Sequence, residues 1–260
     1  MKLLIIQWIF QTICEEIQKD LQNARWTFLS PPLLIIHNWN FKYIEPILDK
    51  MSGHIYYTPT SCGAASFLTA HIAGVPCKCD QVDLRAKKVT RTGADFFACN
   101  PKGNVPCVVL PDGTVLNENS ATLQYIADQD ASHKLLPVVG TTDRYLVVNA
   151  LSYIGTELHQ TVGVLFNPAL PGAVHQSARS KIVVKWTYLN DNMLHQKKYL
   201  VGNKMSVADL YLYVVLYWSG HLKLDFSSYP NITAFYENMK SLPEVQAGHA
   251  AMASNPETSA

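Results

Sequence analysis

An α/β unit followed by an all-helical unit is the fold class this sequence predicts, and three observations carry it. Short strand-like runs alternate with helical runs over residues 54–130. Strand signals vanish from Thr141 onward, where long helical patterns are separated by Pro, Gly and Asn. The stretch between, 132–140, contains Pro137 and Gly140 and reads as a linker.

Each element follows in order. His54–Tyr57 is a strand cut by Pro59. Cys62–Ala73 is a helix, with Ala64, Ala65, Leu68 and Ile72 on one stripe and Gly74 and Pro76 beyond its end. Cys77–Leu84 reads as a second strand, so the helix between implies a parallel pair with a right-handed crossover. Asp95–Cys99 is at most a short helix. Val105–Leu110 and Thr114–Leu116 form a hairpin over Pro111-Asp112-Gly113, where Pro fixes φ and Gly supplies a positive one. Ser120–Asp128 is the closing helix. The order β-α-β-α-β-β-α is that of a thioredoxin-like domain, expected over 54–131. The region 141–260 is expected to be helical over Asp143–Val164, Val174–His195, Ser206–His221, Tyr229–Leu242 and Pro243–Ala251. Ser206-Val207-Ala208-Asp209 is a capping box at the head of one of these helices. The tail 255–260 is polar and expected to fray.

Composition narrows the function classes. The chain has 260 residues, enough for a large core, and 48% are hydrophobic, which excludes a disordered chain. Lys+Arg and Asp+Glu number 21 and 20, a net charge of +1, which is no footprint for gripping nucleic acid. The apolar run Leu3–Phe10 is interrupted by Gln7 and falls far short of the roughly 20 residues of a membrane span. Lys2 with that run imitates a signal peptide, but Glu15, Glu16 and Lys19 follow with no small-residue cleavage site. Residues 1–53 are read as an extension of unknown role, with a short amphipathic helix near Ile13, Ile17, Leu21 and Ala24 and a second start at Met51-Ser52-Gly53. The 6 cysteines include no Cys-x-x-Cys pair, so neither a zinc site nor a disulfide framework is expected, and reduced thiols in a cytoplasm are.

Three places in the front unit carry chemistry. Cys62 stands between a strand end and a helix start, where unpaired backbone N–H groups favour a thiolate and lower the thiol pKa; an inert packing role is the alternative. In Asn100-Pro101-Lys102-Gly103-Asn104-Val105-Pro106, a proline directly before a strand leaves Val105 with an unpaired backbone edge. A cis Val105–Pro106 bond would turn that edge toward an extended peptide, whereas a plain loop proline would not. Glu118-Asn119-Ser120 opens a helix whose free N–H groups suit a carboxylate, or simply cap it. Together the three fit a short peptide bearing a thiol and an α-carboxylate, and glutathione is such a molecule.

The runs Tyr57–Cys62, Thr92–Phe96, Asn100–Pro106, Asp112–Leu116, Glu118–Asp128 and Tyr153–His159 resemble, in order and spacing, those of the glutathione transferases, most of all the cysteine-containing Beta class. The resemblance covers roughly 54–250. It implies a thioredoxin-like glutathione-binding domain, an all-α domain and a homodimer. It assigns Cys62 to the active-site cysteine, Tyr57 to the strand-end tyrosine, and His159 to the helix histidine that approaches the sulfur. Asn104, Val105 and Pro106 match the segment that pairs with the cysteinyl group, Glu118 and Asn119 the pair holding the γ-glutamyl end, with Ser120 beside them, and Lys87 a basic residue near the glycyl carboxylate. Gln160 stands where the Beta pattern often has Lys, which would weaken stabilisation of an anion. Leu165, Phe166 and Trp218 are expected to line the pocket for a hydrophobic electrophile.

The function expected is therefore conjugation of reduced glutathione to small hydrophobic electrophiles, with glutathione as cosubstrate and no permanently bound cofactor or metal. The alternatives are a glutathione-dependent thiol-disulfide oxidoreductase or peroxidase using Cys62, and a non-enzymatic module that binds glutathione or a protein.

Overall fold

The computed structural model describes residues 52–254; the expectations on 1–50 and on the tail 255–260 lie outside them. Among the described residues, five strands form one mixed sheet: β1 (His54–Tyr57), β2 (Lys78–Asp83), β3 (Lys88–Val89), β4 (Cys107–Val109) and β5 (Val115–Leu116), in the order β3-β2-β1-β4-β5. β1 and β2 are parallel, in register from His54 opposite Lys78 to Tyr57 opposite Gln81, and the other neighbours are antiparallel. β3 escapes sequence reading because two residues give no alternation. The loose pattern of β2 has a cause too: Asp80 is buried in mid-strand, paired with the Arg91 Nε and Nη2 at 2.7 and 2.8 Å and hydrogen-bonded to His54 at 2.8 Å. Over Asp95–Cys99, where at most a short helix was expected, there is one 3₁₀ turn, Phe96–Ala98, capped by Asp95.

The crossover helix α1 (Gly63–Ala73) is buried almost all round, because the sheet covers one side and helices of the rear half cover the other. Small residues permit that approach. A Cβ on Gly63 would lie 3.1 Å from the Tyr57 Cβ, so the first turn sits directly on the end of β1. A Cβ on Gly248, in the last helix, would lie 2.5 Å from Leu68 Cδ2. α2 (Asn119–Asp128) closes the front half. Its Asp128 accepts both guanidinium nitrogens of the buried Arg144 at 2.6 and 2.9 Å, which clamps it to α3 (Thr142–Tyr153).

The helix expected over Asp143–Val164 is not continuous. α3 passes into a π-helical turn, Ile154–His159, then α4 (Gln160–Gly163) and a 3₁₀ turn, Val164–Phe166. Each change of hydrogen-bond period turns the following side chains to a new direction. The helix expected over Val174–His195 is α5 (Gly172–Tyr188), ending in another π turn at Leu189–Met193. α6 (Val207–Leu222), α7 (Pro230–Ser241) and α8 (Pro243–Ser254) complete the described chain, and no helix among the described residues is long and apolar enough to cross a membrane.

α6 is the central post of the rear half, and Asp209 secures its start. The buried Asp209 carboxylate accepts the Ser206 N–H at 2.8 Å, the Ser206 hydroxyl at 2.7 Å and the Leu200 N–H at 2.8 Å. Burial nonetheless pushes its pKa up to about 6. A folded pKa above the unfolded value of about 3.9 means that part of its contribution is present at low pH and is lost as pH rises through about 6. Asp209→Ala is expected to lower the unfolding free energy by about 2–4 kcal/mol in urea, more at about pH 5 than at about pH 8. A loss below about 1 kcal/mol at both pH values would show the cap to be dispensable.

Candidate functional site: a buried thiol between two halves

Cys62 occupies the N-cap position of α1 and is only 8% exposed. Its Sγ donates to the Val105 carbonyl oxygen at 3.2 Å, so the helix start and the proline-flanked edge, far apart in sequence, meet at the thiol. The structure corrects the expected direction of its acidity. Desolvation raises the thiol to about 12, outweighing the Cys62 and Gly63 backbone N–H groups that favour the thiolate. Tyr57, matched by the resemblance to the strand-end tyrosine, lies at the end of β1. It is wholly buried in the core with its ring 4.8 Å from that of Phe67, behind the first turn of α1.

The edge itself is firmly held. The Val105–Pro106 bond is cis, and the β4 ladder begins only at Cys107, leaving the Val105 N–H without a hydrogen bond among the described residues. Asn100, wholly buried, donates to the Asn104 carbonyl at 2.7 Å and to the Asn104 Oδ1 at 3.0 Å. Asn117 donates back to Asn100 at 2.8 Å, and Asn104 donates to the Asn117 carbonyl at 3.1 Å. The Asn104 side chain thus builds the loop. Lys87 Nζ donates to the Gly103 carbonyl at 2.7 Å, placing its charge beside the same segment.

At the head of α2, Glu118 is the N-cap residue, well exposed and ion-paired with Lys102, and its side chain makes no capping bond. Its carbonyl takes the Ala121 and Thr122 N–H groups, so those of Asn119 and Ser120 are left for an anion. Asn119 is buried, accepts the Ser66 hydroxyl at 3.4 Å, and has no partner for its Nδ2.

The third wall comes from the rear half. The π turn delivers His159, whose Nδ1 lies 2.5 Å from the Tyr211 hydroxyl of α6. Burial lowers the imidazole pKa and raises the Tyr211 phenol far above its ordinary range, the nearby Cys62 adding to the second effect. The ring is therefore neutral at neutral pH and shares one hydrogen bond with the Tyr211 hydroxyl through Nδ1. Tyr211 reaches the front half as well: Asn119 lies against its hydroxyl, and a Cβ on Gly155 would be 3.8 Å from both that hydroxyl and the Ser120 Oγ. Trp218, one helical span further along α6, packs edge-on against His159 at 4.9 Å and against Phe166 at 5.4 Å. Phe166 is half exposed and Leu165 partly buried on the 3₁₀ turn. Gln160 is exposed.

Residues 63–129 match the family described as glutathione S-transferase, N-terminal domain, and 178–243 its C-terminal domain. The glutathione S-transferase GstA of Escherichia coli O157:H7 is 37% identical over 192 residues, spanning 74% of this chain and 94% of that protein. The chain belongs to the glutathione S-transferase family. Among solved structures, a sphingomonad glutathione S-transferase complexed with glutathione is 32% identical with a TM-score of 0.72, covering 80% of this transferase and 100% of that chain. The bacterial beta class enzyme of Sphingomonas chungbukensis is 35% identical with a TM-score of 0.71, covering 76% and 98%.

Sequence reading of the transferase missed Tyr211. In the run Leu210, Tyr211, Val214, Val215 it looks like one more core residue, and only the fold shows its hydroxyl meeting His159. The Asn100 hub was likewise hidden in a motif quoted for its prolines. At about pH 8, iodoacetamide should label Cys62 about a hundredfold more slowly than an ordinary free thiol: the thiolate is several thousand-fold scarcer, and its greater intrinsic nucleophilicity recovers part of that. Labelling at the rate of a free cysteine would overturn the desolvated-thiol description.

Proposed function

We propose that glutathione lies extended across the front half, with its cysteinyl backbone paired to the Val105 edge and its sulfur beside Cys62. The γ-glutamyl carboxylate takes the free Asn119 and Ser120 N–H groups, and the ammonium lies toward Glu118. Lys87 and the Asn104 segment stand at the glycyl end. One observation carries this reading: the Cys62 thiol, the unpaired Val105 amide, the α2 start and the His159–Tyr211 pair converge on one place.

The chain is an enzyme of the transferase type, with glutathione as cosubstrate. We place the negative charge on the sulfur of glutathione, not on Cys62. Desolvation keeps Cys62 neutral with its S–H on the Val105 carbonyl, so it sets no competing charge beside the incoming sulfur, and the donor to that sulfur is the His159 Nε2–H, with Tyr211 on Nδ1. The bound thiol loses its proton to solvent. The thiolate then attacks the electrophilic carbon, a carbon–sulfur bond forms, and the leaving group departs with its electron pair. Leu165, Phe166 and Trp218 form the apolar wall for that electrophile. Tyr57 and Pro106 shape the cradle without touching the reacting atoms. The raised Cys62 pKa weighs against a thiol-disulfide oxidoreductase or peroxidase that would need Cys62 as nucleophile.

A homodimer fits the exposed apolar Val184 and Tyr188 on one face of α5, where Tyr153 and Tyr188 pack at 5.4 Å and Tyr153 donates to the Lys185 carbonyl. A cytoplasmic location fits the free thiols.

Turnover of glutathione with an activated chloroarene tests the assignment. Cys62→Ala should keep kcat/KM within about tenfold of the parent, because what is lost is its tie to the Val105 carbonyl and not the reacting sulfur. Tyr211→Phe should lower kcat/KM by about tenfold and move its acid limb to higher pH, since His159 loses its partner at Nδ1. Loss of all turnover in Cys62→Ala, with a parent-like pH profile in Tyr211→Phe, would contradict it.

A further inference from the structure

A second thiol pair closes the loop that carries the Val105 edge. Cys99 follows the 3₁₀ turn Phe96–Ala98, and Cys107 opens β4 opposite Tyr56. Their Sγ atoms are 3.9 Å apart, within a small apolar cluster that also holds Val82, Val89, Phe96 and Val105. Cys107 is wholly buried, while Cys99 is partly exposed and its sulfur lies against the Tyr56 hydroxyl. Between the two sit the Asn100 hub, Asn104, Val105 and Pro106. To form a disulfide the sulfurs must close from 3.9 Å to about 2.05 Å.

We propose that Cys99 and Cys107 are an oxidative modification site, forming a reversible intrachain disulfide in response to hydroperoxides. The Cys99 sulfur attacks the outer peroxide oxygen, the O–O bond breaks, and Cys99 sulfenic acid and an alcohol or water are formed. The Cys107 sulfur then attacks the sulfenic sulfur. An S–S bond forms, the S–O bond breaks, and the hydroxide leaves as water with the Cys107 proton. In sum, two thiols and one hydroperoxide give a disulfide, an alcohol or water, and water, a two-electron oxidation. Cys107 is wholly buried and Cys99 partly exposed, so the peroxide meets Cys99 first and Cys107, whose sulfur lies beside it, takes the second step. The bond staples both ends of the loop on which the edge is built. Its consequence for glutathione rests on the site proposed above, whereas its formation does not.

The test treats the full-length reduced protein with hydrogen peroxide under native conditions, then alkylates free thiols with iodoacetamide and maps the peptides by mass spectrometry. A Cys99–Cys107 linked peptide, lighter by two hydrogens and restored by dithiothreitol, is expected. In Cys107→Ser, Cys99 sulfenic acid should instead be trapped by dimedone. Separate alkylation of Cys99 and Cys107 in the peroxide-treated parent, or linkage of either to another cysteine or a second chain, would overturn the proposal. The parent protein carries the decisive readout, so misfolding of a variant does not blur it. Calorimetry of the reduced and oxidised forms with glutathione reads the other claim independently. No binding to either form, beside a mapped disulfide, would refute the glutathione site and leave the thiol pair standing.

Discussion

The desolvation of one sulfur organises this site. Cys62 is placed at a helix start whose amides favour a thiolate, and the same packing that puts it there withdraws it from water. The second effect wins because only two backbone N–H groups oppose the loss of solvation around a nearly buried group. A neutral thiol that donates to the Val105 carbonyl is the result. That bond ties α1 to the loop before β4, so the geometry of the peptide edge depends on a side chain that reads, from sequence, as a nucleophile.

The rear half supplies what the front half lacks. A thioredoxin-like sheet and two helices offer amides and a peptide edge, and His159 comes from the rear half. The π turn at Ile154–His159 turns His159 toward α6, where Tyr211 holds Nδ1. Such a turn gives up regular hydrogen bonding for a particular side-chain direction, which is why it is found where direction matters. Trp218 and Phe166 then extend the wall from the histidine toward solvent. The clamp of Arg144 on Asp128 and the close approach of α8 to α1 pack the two halves against each other.

Much of this was legible in the residues. Alternation and turn chemistry gave the hairpin at Pro111-Asp112-Gly113 and the parallel β1–β2 pair, and the capping box marked the start of α6. The elements that escaped were those without a period: the two-residue β3, the π turns that a helical pattern runs through unbroken, and the buried Asp80 made tolerable by distant partners. For the site, Cys62, Val105 and the 118–120 helix start could be picked out because each stands at an element boundary with free backbone groups. The sign of the Cys62 shift could not, since helix-start electrostatics are visible in sequence and solvation is not. Tyr211 was invisible for a related reason: its function lies in a contact 52 residues away in the chain.

The central claim is that the anionic sulfur belongs to glutathione and not to the protein. The ultraviolet absorbance of thiolate, followed against pH for glutathione bound to the Cys62→Ala protein, tests it most directly. The account predicts a bound thiol that ionises well below the range of free glutathione, with His159→Ala moving it back up. Ionisation of the bound thiol at its solution value, with thiolate signal arising only when Cys62 is present, would contradict it.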